Sequence, residues 1–214
     1  MKTMFKVEKD MIPVLQKFLS ERYKTEYFVS EFDSGNGIAD LVFSFDMDTL
    51  NEKELLLDYE ALFLIHKYLN RKNKKVYASK FKKKTSLEKK KFDYLFKKLV
   101  EMGILEALSD ETYVVREKYA PPVKKIFSIE AKLHDWKNGF YQALRYKAYS
   151  HKSYLAISEE FAHRVDLELL RENNIGLIAV SPNGINFILD IKIEKPQNPV
   201  ANAYLSEKFL RTFI

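Results

Sequence analysis

The sequence predicts an α/β protein whose core is split by an inserted, mostly helical segment. Strand and helix patterns alternate through residues 1–50 and resume through residues 119–214. Between them, residues 51–118 carry apolar stripes at helical spacing and most of the positive charge. The net charge is +6, yet the stretch from Arg71 to Lys98 holds thirteen Lys or Arg against only Glu88 and Asp93, a local +11 that leaves −5 elsewhere.

A chain of 214 residues that is 46% hydrophobic can bury a sizeable core. It contains no cysteine, which excludes disulfides, thiolate zinc sites and cysteine nucleophiles and fits a reducing compartment. The opening residues MKTMFKVEKDMIPVLQKFL lack the uncharged core and small-residue cleavage site of a signal peptide. No apolar run approaches a membrane span, so a cytoplasmic location with no membrane partner is expected. The basic segment predicts a polyanion-binding surface, with DNA the leading partner; the alternative is a solvated lysine-rich face.

The elements follow in order. Met11, Val14, Leu15, Phe18 and Leu19 predict a helix over about Val7–Tyr23. The strands EYFVSEF (26–32) and IADLVFSF (38–45) flank the turn sequence DSGNG and predict an antiparallel hairpin. In the inserted segment, Tyr59, Leu62, Phe63, His66 and Leu69 make one helical stripe, VYASKFKKK a second short helix, and Phe92, Leu95, Leu99 and Met102 a third. Two short strands around SDET complete it. Three helices and a hairpin with lysines on the second and third helices resemble a winged helix domain, in which the third helix commonly enters the DNA major groove; other winged helices bind protein or only scaffold. Ser86, Lys90, Asp93 and Lys97 are expected on one exposed face of the third helix, and Lys82, Lys83, Lys84, Lys89, Lys90 and Lys97 are the candidate DNA contacts. After APP (120–122) come the strand IFSIEAKL, a helix over about Asp135–His151, the strand SYLAIS, a helix near 160–173, the strands GLIAVS and NFILDIKI, and a helix near Ala201–Arg211.

Two strands carry chemistry. In IFSIEAKL, Glu130 and Lys132 share a face with Ser128, opposite Phe127, Ile129, Ala131 and Leu133. Read alone, the pair is an ordinary cross-strand ion pair worth little. In GIADLVF, Asp40 sits inside an apolar strand, where a carboxylate needs a partner. Carboxylates gathered from neighbouring strands suit a hard divalent cation such as magnesium. On the following helix, Gln142, Arg145, Tyr146 and Tyr149 are expected to form a polar-aromatic face suited to a substrate groove. The histidines 66, 134, 151 and 163 lack metal-ligand spacing. A second Asp-x-Lys, Asp190 and Lys192 in ILDIKI, has no glutamine helix after it.

This ordered set resembles the PD-(D/E)xK, or restriction endonuclease-like, nucleases: Asp40 in GIAD, Glu130 and Lys132 in SIEAKL, and Gln142 in WKNGFYQALRYKAY. The resemblance covers residues 1 to about 50 and 119 to about 195. It implies a restriction endonuclease-like mixed β-sheet flanked by helices and interrupted by a winged helix insertion. It further implies a Mg²⁺-dependent deoxyribonuclease, with Mn²⁺ as a substitute metal. Asp40, Glu130, the Ala131 carbonyl and Glu8 would hold the metal, Lys132 and Gln142 would serve catalysis, and Arg145 and Tyr146 would meet DNA. Double-strand cutting commonly uses two active sites, which makes a homodimer an expectation that no residue argues by itself. The alternative is a catalytically inactive DNA-binding or assembly subunit that retains the nuclease fold.

Overall fold

Helix α1 (Met11–Tyr23) follows a 3-10 turn at Glu8–Asp10 and buries Met11, Leu15 and Leu19, one residue per turn, against a sheet. It ends where Lys24 turns left-handed at φ 51°. The computed structural model describes residues 5–47 and 55–214. The expected junction between Leu50 and Asn51 lies outside the described residues.

Strands β1 (Phe28–Asp33) and β2 (Ile38–Phe43) form the expected antiparallel hairpin. Its turn is closed by Ser34 N–H donating to Gly37 O at 3.0 Å and by the Asp33 carboxylate accepting from Gly35 N–H at 2.8 Å. Gly35 and Gly37 have φ of 79° and 139°, a region that side chains with a Cβ disfavour.

Past the insertion come β6 (Phe127–Lys132), α5 (Trp136–Tyr146), β7 (Lys152–Ser158), α6 (Leu167–Glu172), β8 (Gly176–Ser181), β9 (Gly184–Leu189) and α7 (Pro199–Leu210). The main sheet runs β1-β2-β6-β7-β8-β9. Strands β6, β7 and β8 are parallel to one another, and β2 and β9 flank them antiparallel. The fold is therefore a mixed six-stranded sheet flanked by helices. Every residue of β6 is buried. Phe127, Ile129 and Ala131 pack with Met11, Leu15 and Leu19, and burying each large side chain contributes about 1.5–3 kcal/mol. Ser128, Glu130 and Lys132 face helix α5 instead.

Several boundaries differ from the sequence reading. Helix α5 ends at Tyr146 rather than near His151, which leaves Tyr149 outside it. The helix expected near 160–173 is a 3-10 segment, Glu159–Arg164, then α6, because the Asp166 side chain accepts from Glu168 and Leu169 N–H and starts a new helix. Strand β9 stops at Leu189, so Asp190 and Lys192 lie beyond it; the Asp190 carboxylate is taken by Lys152 at 2.8 Å and Tyr154 at 2.7 Å. Helix α7 begins at Pro199, where the Asn198 side chain accepts from Val200 and Ala201 N–H.

The inserted part comprises α2 (Tyr59–Leu64, continued by a π-helical turn through Leu69), β3 (Lys75–Tyr77), α3 (Ala78–Thr85), α4 (Lys89–Glu101), β4 (Leu105–Ser109) and β5 (Thr112–Val115). Val76 and Tyr77, expected in a helix, are strand, and they complete a three-stranded sheet in the order β3-β5-β4. Ser86 precedes α4 in a left-handed conformation rather than lying on that helix. Phe81, Phe92, Phe96 and Leu99 form the core of this part, and Val200 and Ala203 of α7 join it. Both ends of the insertion are fastened to α7 as well. The buried Glu207 carboxylate accepts from Leu56 N–H at 2.9 Å, Leu57 N–H at 2.6 Å and the Tyr119 hydroxyl at 2.7 Å.

Candidate active site

The last registered pair between β2 and β6 is Leu41 with Ile129. One step further, Asp40 stands opposite Glu130, and residues directly opposite in an antiparallel pair share a face. The ladder gives way there to a side-chain bond: Asp40 Oδ2 accepts the Ala131 N–H at 2.7 Å. On the other side of β2, Glu31 adopts φ 52° between the registered pairs of Ser30 with Leu41 and Phe32 with Ala39. Asp40 thus lies where regular pairing is interrupted on both sides.

Glu130 is 1% exposed and both of its oxygens are engaged. Oε1 accepts from Lys132 Nζ at 2.5 Å, and Oε2 accepts from the Tyr146 hydroxyl at 2.6 Å. The same hydroxyl lies 2.7 Å from the carbonyl oxygen of Ile38, so Tyr146 joins α5 to the start of β2 as well as to β6. Lys132 Nζ also donates to the Ala131 carbonyl at 3.2 Å and stands 3.6 Å from Glu8 Oε2. Glu8, on the turn before α1, accepts from Leu133 N–H at 3.3 Å through its other oxygen. Asp40, Glu130, Ala131, Lys132 and Glu8 therefore converge, although they come from three separate elements.

Helix α5 closes the site because of one glycine. A Cβ on Gly139 would come within 2.5 Å of Leu155 Cδ1 and 2.8 Å of Lys132 Cγ. The bare Cα lets the helix lie against the Lys132 stem, which leaves that side chain directed along the helix toward Glu130. Gln142 follows one turn later, and its Oε1 is buried with no hydrogen-bond partner. An orphaned buried acceptor calls for an explanation.

The electrostatics follow from this packing. Burial pushes the Asp40 carboxyl up, against the Ala131 N–H and the Lys132 charge. Burial likewise raises Glu130, against its bonds from Lys132 and Tyr146. Burial pulls Lys132 down, but the hydrogen bond and charge of Glu130 outweigh it and the ammonium is raised. Lys132 is a cation at all ordinary pH values.

The remaining candidates separate cleanly. Tyr146, expected on a DNA-facing surface, is instead 1% exposed, and Tyr149 of the same expected face is buried too. Tyr146, the last residue of α5, turns toward the sheet, where its hydroxyl satisfies Glu130, and Tyr149 lies in the turn beyond the helix end. Arg145 is exposed, with its guanidinium beside Gly37 in the β1–β2 turn. Lys83, Lys84, Lys89, Lys90 and Lys97 are exposed on α3 and α4, while Lys82 is half-buried with its ammonium over the Phe92 ring at 4.2 Å. Among the histidines, His151 Nδ1 accepts from Ile126 N–H and His134 packs beside Phe161, away from any metal-ligand arrangement.

Among the described residues, no group of three or more His, Asp or Glu side chains is arranged to hold a metal ion. The oxygens of Glu130, Ala131 and Glu8 converge instead on the ammonium of Lys132, so a cation already stands among hard oxygen donors. Carboxylate and carbonyl oxygens of this kind are the donors that a small hydrated divalent ion takes. Comparison with protein-family models, with curated proteins and with solved structures returns no match to this chain. No helix among the described residues is long and apolar enough to cross a membrane.

Two residues of the site escape a motif reading. Gly139 carries no chemistry of its own, and Tyr146 is readable only as the position four residues after Gln142, on the same helix face.

Proposed function

We propose that this protein is a magnesium-dependent deoxyribonuclease of the restriction endonuclease-like type, with the inserted part as a winged helix that grips duplex DNA. The observation that carries this reading is the meeting of Asp40 with the Glu130–Ala131–Lys132 strand through the 2.7 Å bond to Ala131 N–H. Without that bond the Glu-Lys pair would be an ordinary ion pair. With it, a buried and a half-buried carboxylate, a carbonyl and an ammonium come together.

Asp40, Glu130, the Ala131 carbonyl and Glu8 would hold the metal. When bound, such an ion polarises the phosphoryl group and lowers the pKa of its water. Lys132 would orient the attacking water and offset charge growing on the phosphate. The unpaired Gln142 oxygen would accept a hydrogen bond from water or substrate, and Tyr146 would keep Glu130 from turning away. Arg145 at the rim and the lysines of α3 and α4 would contact phosphates, with the net positive insert supplying most of the affinity.

A second reading has its own support. Both Glu130 oxygens are already satisfied by Lys132 and Tyr146, as in a site that has become structural. In that case the chain is a DNA-binding or assembly subunit that retains the fold. The two readings separate in one assay: the purified protein is incubated with linear, nicked and branched DNA in Mg²⁺ or Mn²⁺. Cleavage that chelation stops and Glu130→Gln abolishes supports the nuclease. DNA binding with no cleavage of any substrate leaves only the second reading.

A further inference from the structure

Lys132 stands where the metal would have to stand. Its ammonium lies 2.5 Å from Glu130 Oε1, 3.2 Å from the Ala131 carbonyl and 3.6 Å from Glu8 Oε2, three of the four oxygens assigned to the metal. It is not a surface lysine that happens to reach inward. Its side chain is 11% exposed, and Gly139 leaves room for its stem and for nothing larger on the helix. An ion bound to those oxygens at about 2.0–2.1 Å would lie nearer to Nζ than two cations tolerate. The ammonium and the metal therefore cannot occupy these positions together.

We infer that Lys132 is a tethered cation that fills the metal position in the metal-free protein and must leave it when a divalent ion enters. This rests on the nuclease reading and adds a competition to it. In the metal-free site the ammonium pairs with Glu130, so this carboxylate does not remain buried and unpaired, a situation that strongly destabilises a fold. The displaced ammonium moves toward the space in which substrate phosphate arrives, so one motion both admits the metal and presents Lys132 to the reaction. Loss of the ammonium should then have opposite effects on two observables. Cleavage falls, because the water and phosphate lose their cation. Metal affinity rises, because the competitor is gone.

The test measures Mn²⁺ binding directly, from the electron paramagnetic resonance of free Mn²⁺, in the full chain and in Lys132→Met, with folding checked by circular dichroism. The expected result is Mn²⁺ binding roughly tenfold tighter or more in Lys132→Met, together with lost cleavage. Unchanged or weaker binding in a folded variant overturns the inference and leaves the nuclease reading intact if the unaltered protein binds Mn²⁺ and cuts. Absence of both Mn²⁺ binding and cleavage in the unaltered protein overturns the nuclease reading and this inference with it. A second measurement needs no variant: acylation of lysines followed by mass spectrometry. Modification of Lys132 in the unaltered protein should increase severalfold on adding Mn²⁺, and unchanged or reduced modification counts against displacement.

Discussion

Asp40 Oδ2 accepts the backbone N–H of Ala131 at 2.7 Å, a bond between residues 91 positions apart. It replaces a rung of the β2–β6 ladder at the point where regular pairing stops. The bond has a structural effect, because it satisfies a donor on a wholly buried strand, and a chemical one, because it brings a second carboxylate to Glu130. The two effects can be separated by substitution.

Asp40→Asn keeps a carbonyl oxygen to accept from Ala131 N–H and removes the charge, whereas Asp40→Ala removes both. The alanine variant should lose about 1–3 kcal/mol of stability through the unsatisfied donor. The asparagine variant should stay close to the unaltered protein, since it also relieves the burial of a charge. Both should lose metal-dependent cleavage. Urea denaturation and a cleavage assay on the two variants check this, and equal destabilisation by both would show that the charge, not the hydrogen bond, holds the strands together.

Much of this site is readable in the sequence, and the unread part has a common cause. Alternation in IFSIEAKL assigns Glu130 and Lys132 to one face, and an aspartate inside GIADLVF demands a partner, because both signals are local. The adjacency of those strands is not local; it depends on the chain leaving and returning across the insertion. Tyr146 is buried where exposure is expected for a related reason: its spacing from Gln142 defines a shared face, but spacing does not say whether that face meets solvent or sheet. Glu207 gives no signal at all, since a glutamate within a helix reads as solvated until the three donors it accepts from are seen.

That carboxylate makes a second prediction. Glu207 is 1% exposed, and it binds Leu56 and Leu57 at the entrance of the inserted part and Tyr119 at its exit. Burial pushes its carboxyl up despite the three donors. Glu207→Ala strands those donors and should cost roughly 3 kcal/mol. Glu207→Gln retains one oxygen for the two N–H groups and an amide that can donate to the Tyr119 oxygen, so its cost should be about 1 kcal/mol or less. Because Val200 and Ala203 of the same helix belong to the core of the inserted part, unfolding of Glu207→Ala should remain a single transition. Two separate transitions would show that the insertion is stable on its own and only loosely fastened to α7.

The lysines of the insertion are the remaining prediction, and their packing decides which of them to change. Lys82 lies over Phe92 at 4.2 Å and Lys84 over Tyr68 at 5.0 Å, and Lys97 stands 3.9 Å from Glu101, so altering these mixes charge with local packing. Lys89 and Lys90 are exposed on the first turn of α4, where a cation gains nothing from the helix dipole, and Lys83 is exposed in the last turn of α3, where the gain is a few tenths of a kcal/mol. Replacing the three with alanine should leave stability within about 0.5 kcal/mol. If they neutralise phosphates, DNA affinity should fall and the slope of log affinity against log salt should flatten by roughly 0.9 for each phosphate no longer neutralised. Fluorescence anisotropy across a salt series measures both quantities. Flattening with intact metal binding would assign the insertion to DNA and leave the chemistry to Asp40, Glu130 and Lys132, whereas an unchanged slope would take these three lysines out of the interface and leave Lys82, Lys84, Lys97 and Arg145 as the cations to test next.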